Sequence, residues 1–297
     1  VVSVLRNKPH RLSAKLRVAL VACAVLLVST PGVLHTPVAR AATDYYAEGF
    51  DTCTDPLTNA KLLAWWNNTP IWTVGLYLGG EDGATVGCTG LTPTTWGYAL
   101  SLGYGIEPFW YGAQMNPSQG CGEGDPGLPA YVSLNTNTAY VQGESEASQA
   151  AVAAGTQYGV PYGSVIYLDL EAFYNNSGCV AAAESFVQGW DNYLDSVTQF
   201  VPGLYGSSCA SYLSNMTNAP VPAAIAPADP GVDYTGVYGL QCLSDGLWNQ
   251  NQRIHQDTGE VWTQFGGQYL SVDEDCADGP VINGGGQPHN CAYFYHP

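Results

Sequence analysis

Two carboxylic acids stand two residues apart in the run SVIYLDLEAF, residues 164–173, where nearly every other position is β-branched, aliphatic or aromatic. An unpaired carboxylate is costly to bury, so Asp169 and Glu171 call for an explanation. Acids crowded together in an apolar setting repel each other and hold their protons more tightly. A carboxyl kept protonated near neutrality is a general acid, the group that glycosidic cleavage requires. Other acids end or follow other apolar runs: Asp51 in EGFDTC, Glu107 in GYGIEPFWY, Asp229 after AAIAP, and Asp273 at the end of YLSVD. Aromatic rings keep them company, with Trp110 and Tyr111 just after Glu107, and Tyr77 and Tyr205 near other segment ends. Flat rings of this kind suit the apolar faces of sugars. Gln241 in GVYGLQC and His255 in RIHQ add polar contacts to the candidate binding set.

Acids at segment ends act together only if the segments are strands of one sheet. Strand-like runs occur at residues 48–53, 71–79, 103–111, 164–171, 201–207 and 223–227, then 236–242 or 253–256, and finally 269–273. Helix-like stretches alternate with them at 92–102, 145–158, 179–194 and 209–216. Thr92 followed by Pro93 is a sound helix start. Strands alternating with helices indicate parallel pairing, and eight of them in some 250 residues fit a closed barrel. The expected fold is therefore α/β, a (β/α)8 TIM-type barrel in a single domain. Alternation along a barrel strand turns Tyr167, Asp169 and Glu171 toward the lumen and Ile166, Leu168 and Leu170 toward the helices. The acids then meet at the C-terminal rim, where barrel enzymes keep their chemistry.

The first 41 residues read as a secretory leader. Five basic residues precede an apolar run at 18–28, and Ala39-Arg40-Ala41 offers a cleavage site. The mature domain is then 42–297, secreted and free of the membrane once cleaved. It keeps only Lys61 and Arg253 against all 25 acidic residues, a formal charge of −23. Such a surface excludes nucleic acid and anionic lipid as partners and favours a neutral or cationic one. Eight cysteines remain in it, without close metal-binding pairs, so about four disulfides are expected. No cofactor or metal is expected. The acidic run from Asp273 departs from a calcium loop, its third acid one place late and its twelfth position Gly284. A monomer is expected.

The motifs GFDTC, IEPFWYGAQ, VIYLDLEAF, GLYGSSCASYL, AIAPAD, GLWNQNQRIHQ and VDEDCADG, in that order over residues 48–279, resemble the actinobacterial glycoside-hydrolase-like family known as domain of unknown function 1906. That family is similar in turn to the family 25 lysozymes, barrels that cleave peptidoglycan. The resemblance implies that Asp51 matches a first-strand Asp, Asp169 and Glu171 the fourth-strand Asp-x-Glu, and Asp273 a late Asp. It implies Glu171 as general acid/base and Asp169 as its orienting partner or the group assisting an acetamido nucleophile. Asp51 and Asp273 would bind substrate or stabilise charge. Glu107 belongs to the nearer family's pattern. The lysozymes' Trp-Gln-Tyr is represented here only by Ile254-His255-Gln256.

The reading is a secreted glycosidase acting on an N-acetylated polysaccharide such as peptidoglycan. Two rivals stand beside it. One is a catalytically silent carbohydrate-binding barrel. The other is a serine hydrolase using Ser208, in GSSCA between a strand and a helix, with Asp229 or Asp245 and His255 or His289 completing a triad.

Overall fold

The computed structural model describes residues 44–53, 56–88, 90–122, 127–209, 213–217, 221–229, 236–283 and 291. The expected leader lies outside them. The described residues form ten strands: β1 (Asp44–Asp51), β2 (Thr73–Tyr77), β3 (Gly105–Tyr111), the short pair β4 (Gln114–Met115) and β5 (Tyr131–Val132), β6 (Val165–Asp169), β7 (Val201–Ser207), β8 (Ala224–Ala228), β9 (Arg253–Phe265) and β10 (Gln268–Pro280). Eight of them close a barrel in the order β1-β10-β9-β8-β7-β6-β3-β2.

The alternation expected from the sequence holds. Ile166, Leu168 and Leu170 lie in the outer core between sheet and helices. Phe109, Tyr167, Tyr205, Ala226, Ile254 and Ala277 form a separate core inside the barrel.

Four helices cover one wall. They are α1 (Asn59–Asn68), α2 (Pro93–Leu102), α3 (Thr136–Val152) and α4 (Ser177–Val197). Each begins on a side-chain cap: Thr58, Thr92, Asn135 and Asn176 accept a backbone N–H from three residues on. The last two helices touch backbone to backbone. A Cβ on Gly143 would sit 1.9 Å from the Phe186 carbonyl oxygen, and one on Gly189 would sit 2.0 Å from that of Tyr140. Only glycine permits that approach.

The other wall departs from a uniform (β/α)8 plan. Gly266-Gly267, both at positive φ (55° and 79°), form the two-residue turn of a hairpin between β9 and β10. A hairpin reverses the chain, so β10 runs antiparallel to both β9 and β1. Of the two segments offered for the seventh strand, 253–256 is in β9, while 236–252 folds as turns. Arg253 holds that segment, donating to the carbonyls of Val237 (3.0 Å), Ser244 (2.6 Å) and Leu247 (3.2 Å). The expected helix at 209–216 is represented among the described residues by a single 3-10 turn, Leu213–Asn215.

Four disulfides form: Cys53–Cys88, Cys121–Cys179, Cys209–Cys242 and Cys276–Cys291. The first three join segments beyond the C-terminal ends of the parallel strands, so they staple the rim. No helix of the described residues is long and apolar enough to cross a membrane.

Candidate active site

Strands β1, β2 and β6, with β3 between the last two, end at the mouth of the lumen, and their last residues are Asp51, Tyr77 and Asp169. The Tyr77 hydroxyl lies 3.1 Å from Asp169 Oδ2 and 3.4 Å from Asp51 Oδ1. A phenol has one hydrogen, so it bridges both carboxyls fully only when one of them is protonated. Gln256 donates from Nε2 to Asp51 Oδ2 (3.2 Å) and accepts the Tyr205 hydroxyl at Oε1 (2.9 Å). Register places Asp273 directly across from Asp51, and Asp273 Oδ1 accepts the backbone N–H of Glu260.

Two more acids line the lumen. Glu107 is level with Gly75 and Asp51 on adjoining strands. Gly75 makes that arrangement possible, because a Cβ there would be 2.4 Å from Asp51 Cβ and 2.7 Å from the Phe109 ring. Glu107 is fully buried, with neither oxygen in a full hydrogen bond. The Thr73 hydroxyl on β2 offsets its burial only in part. Asp275, one layer below Asp273 on β10, is also buried.

Burial first and mutual repulsion second raise the proton affinity of this set. Asp169 is held well above the ordinary carboxylate range by burial, then by Glu171 and Asp51. Asp51 is raised by burial, then by Asp273 and Glu107. Asp275 is raised by burial, then by Asp51 and Glu107. Burial alone lifts Glu107 to about 8 and is the main cause that lifts Asp273 to about 6. Among the described residues no cation relieves them, since Lys61 is on α1 and Arg253 points out of the barrel toward 236–252.

Glu171 follows two residues after the end of β6, half-buried, near enough to perturb Asp169, Tyr77 and Tyr205. Gln114 sets its position. That buried side chain donates from Nε2 to the Asp169 carbonyl (2.9 Å) and the Gly112 carbonyl (3.1 Å), and its Oε1 accepts the Glu171 N–H (2.8 Å). It thus brackets Leu170 and fixes the Asp-x-Glu turn.

A family model described as the Rv2525c-like, glycoside hydrolase-like domain matches residues 64–277. The chain belongs to this family. Solved structures resemble this glycoside hydrolase-like domain at the level of fold. An uncharacterized B. stearothermophilus protein matches with a TM-score of 0.53 at 15% identity, over 80% of this chain and 98% of that one. The Clostridium perfringens spore cortex lytic enzyme SleM matches with 0.52 at 13%, over 78% and 67%. The Mycobacterium tuberculosis Tat-secreted protein Rv2525c matches with 0.46 at 12%, over 83% and 99%. Among curated proteins none matches.

Not every expected residue of the glycoside hydrolase-like domain reaches the rim. Tyr77, Tyr111 and Tyr205 face the lumen. Trp110, between lumen-facing Phe109 and Tyr111, turns outward and donates its Nε1–H to Glu146 on α3 at 2.6 Å. His255 also points outward, its Nδ1 3.0 Å from the Gly236 carbonyl, and burial lowers its pKa to about 4. Asp229 Oδ2 accepts the backbone N–H of Gln241 (2.9 Å), while the Gln241 side chain is exposed, so this pair braces a loop. Ser208 is buried and its Oγ has no hydrogen-bond partner among the described residues; the next residue is tied to Cys242. His289 lies outside the described residues. No group of three or more His, Cys, Asp or Glu among the described residues could hold a metal.

Sequence reasoning passed over Gln114 and Gln256. Parity in RIHQ would have found the second, since His255 and Gln256 must face opposite sides of β9. Nothing local marks Gln114 as a site residue, since the two partners that give it this role, Asp169 and Glu171, are more than 50 residues away.

Proposed function

We propose that this domain is a secreted glycoside hydrolase acting on an N-acetylated, peptidoglycan-type polysaccharide. The observation that carries the reading is the meeting of Asp51 and Asp169 on one Tyr77 hydroxyl, with Glu171 clamped beside them and, among the described residues, no cation in the cup. The naming of SleM as a spore cortex lytic enzyme agrees with the substrate class. Disulfides agree with an oxidising, extracellular setting.

In this mechanism Glu171 gives its proton to the glycosidic oxygen as the C1–O bond breaks. The substrate's acetamide oxygen attacks C1 from the other side, forming a cyclic oxazolinium. Asp169 accepts the acetamide N–H through Oδ1, an atom with no hydrogen-bond partner among the described residues, while Tyr77 holds Oδ2. The Glu171 carboxylate then takes a proton from water as that water opens the ring at C1, restoring the acetamide and the acid. Anomeric configuration is retained.

The rival reading, a carbohydrate-binding barrel without turnover, draws on the closure of the cup: Asp51 and Asp169 are each 1% exposed. A panel of purified peptidoglycan, chitin and neutral glucans separates the two. The hydrolase reading expects reducing ends released from an N-acetylated polymer by wild type and not by Glu171→Gln. Binding without product from any polymer would sink it.

A further inference from the structure

The hairpin arm above the rim carries two prominently exposed rings on a single ladder. Trp262 is 71% exposed and Tyr269 is 56% exposed. Register pairs Trp262 with Ser271 and Gln264 with Tyr269, and directly paired residues of an antiparallel ladder point to the same side. Trp262, Gln264, Tyr269 and Ser271 therefore share one face, and none of them is charged.

The opposite face is fully employed. Leu270, Val272 and Phe265 pack into the outer core. Phe265 meets the Trp65 ring edge-on at 5.1 Å, and Trp65 Nε1 donates to the Gln268 carbonyl at 3.1 Å. The arm is thus anchored on α1 and presents its aromatic side outward.

That side leads to the acids. The pairing of β10 with β1 runs without a break from Pro280 to Asp273. Alternation along β10 therefore puts Asp275, Asp273, Ser271 and Tyr269 on one continuous face. Two register shifts against β10 each insert a residue in β9, so Gln256, which faces the cup, and Trp262 also fall on that face. From Asp273 to Tyr269 is four residues, about 13 Å of strand.

Resting on the reading above, we propose that the Trp262–Tyr269 face is an extended subsite on which an uncharged stretch of the glycan strand stacks before entering the acid cup. Exposed aromatics in one patch mark a binding surface, and the absence of charge from Trp262, Gln264, Tyr269 and Ser271 at the outer end of this face, in a chain so acidic, fits a neutral polymer over an ionic one.

The test is retention on insoluble peptidoglycan and chitin, with Glu171→Gln as parent so that no polymer is consumed. The double variant Trp262→Ala/Tyr269→Ala in that background is expected to bind about 10-fold more weakly or worse, with its Tm unchanged because both side chains are exposed. Equal retention overturns the subsite, as does a parent that binds neither polymer. A parent that is dimeric in solution and becomes monomeric with the double variant also overturns it, since the rings then join two copies. The underlying hydrolase reading fails separately, if the protein with Glu171 intact binds a polymer but releases no product.

Discussion

The wall built from β1, β2, β3, β6 and β7 and the wall built from β8, β9 and β10 bury their outer faces by different means. The first uses four capped helices with apolar inner stripes and two glycines where α3 and α4 touch. The second has no α-helix among its described residues and uses a turn-rich segment, 236–252, pinned by a buried guanidinium, together with a hairpin. Both contribute to one cup. Asp51, Tyr77, Glu107, Asp169 and Glu171 come from the first wall, and Gln256, Asp273 and Asp275 from the second. The difference teaches that covering a strand and equipping it are separate tasks. The wall with regular secondary structure supplies the proposed proton donor and its clamp, and the irregular wall supplies supporting groups and the arm.

If that division of labour is right, Glu171→Gln lowers turnover by about 10²- to 10⁴-fold, whereas Asp273→Asn costs about tenfold, both read as kcat on the polymer found by the panel. Equal losses would break the comparison. Arg253→Met tests how the second wall is held. It removes hydrogen bonds from a charged donor to three carbonyls and is expected to destabilise the fold by about 2–4 kcal/mol in urea titration. Gly189→Ala tests the first wall and is expected to cost about 1–3 kcal/mol, because a methyl must displace the Tyr140 carbonyl. A cost below that of an exposed substitution would mean that α3 and α4 are free to move apart.

A further expected effect concerns pH. Glu107 keeps its proton up to about 8 in the fold against an ordinary value of 4.5. Between those values the folded state binds the proton that the unfolded chain has lost, so stability falls as pH rises; below 4.5 there is no difference, and above 8 the penalty levels off. Asp273, raised to about 6, adds to the slope at its lower end. Each such group contributes at most about 1.4 kcal/mol per pH unit. Urea midpoints measured from pH 5 to 8 should therefore decline, and Glu107→Gln should flatten the decline. An unchanged slope in that variant would assign it to the other raised acids, Asp51, Asp169 and Asp275 among them.

Much of the first wall is legible in the sequence. Thr92-Pro93 marked the start of α2, and the alternation in SVIYLDLEAF sorted Asp169 from Leu168 correctly. The second wall was harder to read. FGGQ carries a hairpin turn signal, but the strands beside it, with Thr, Gln, Glu and Gly among their residues, lack a clean apolar run. Without that turn, β10 reads as one more parallel strand and the aromatic arm disappears from view. Trp110 was misplaced by proximity, since standing three residues after Glu107 says less than parity does.

By itself the sequence determined which residues alternate, which ends carry acids, how little cation is available to them, and that eight cysteines would pair. These are properties of composition and of a two-residue period, and both are local. Only the tertiary structure decided which acids share a hydroxyl, which amide clamps the Asp-x-Glu turn, which cysteines meet, and which way the last strand runs. Those outcomes depend on register between segments as far apart as Asp51 and Gln256, 205 residues along the chain. Barrel closure sets that register, and no window of sequence contains it.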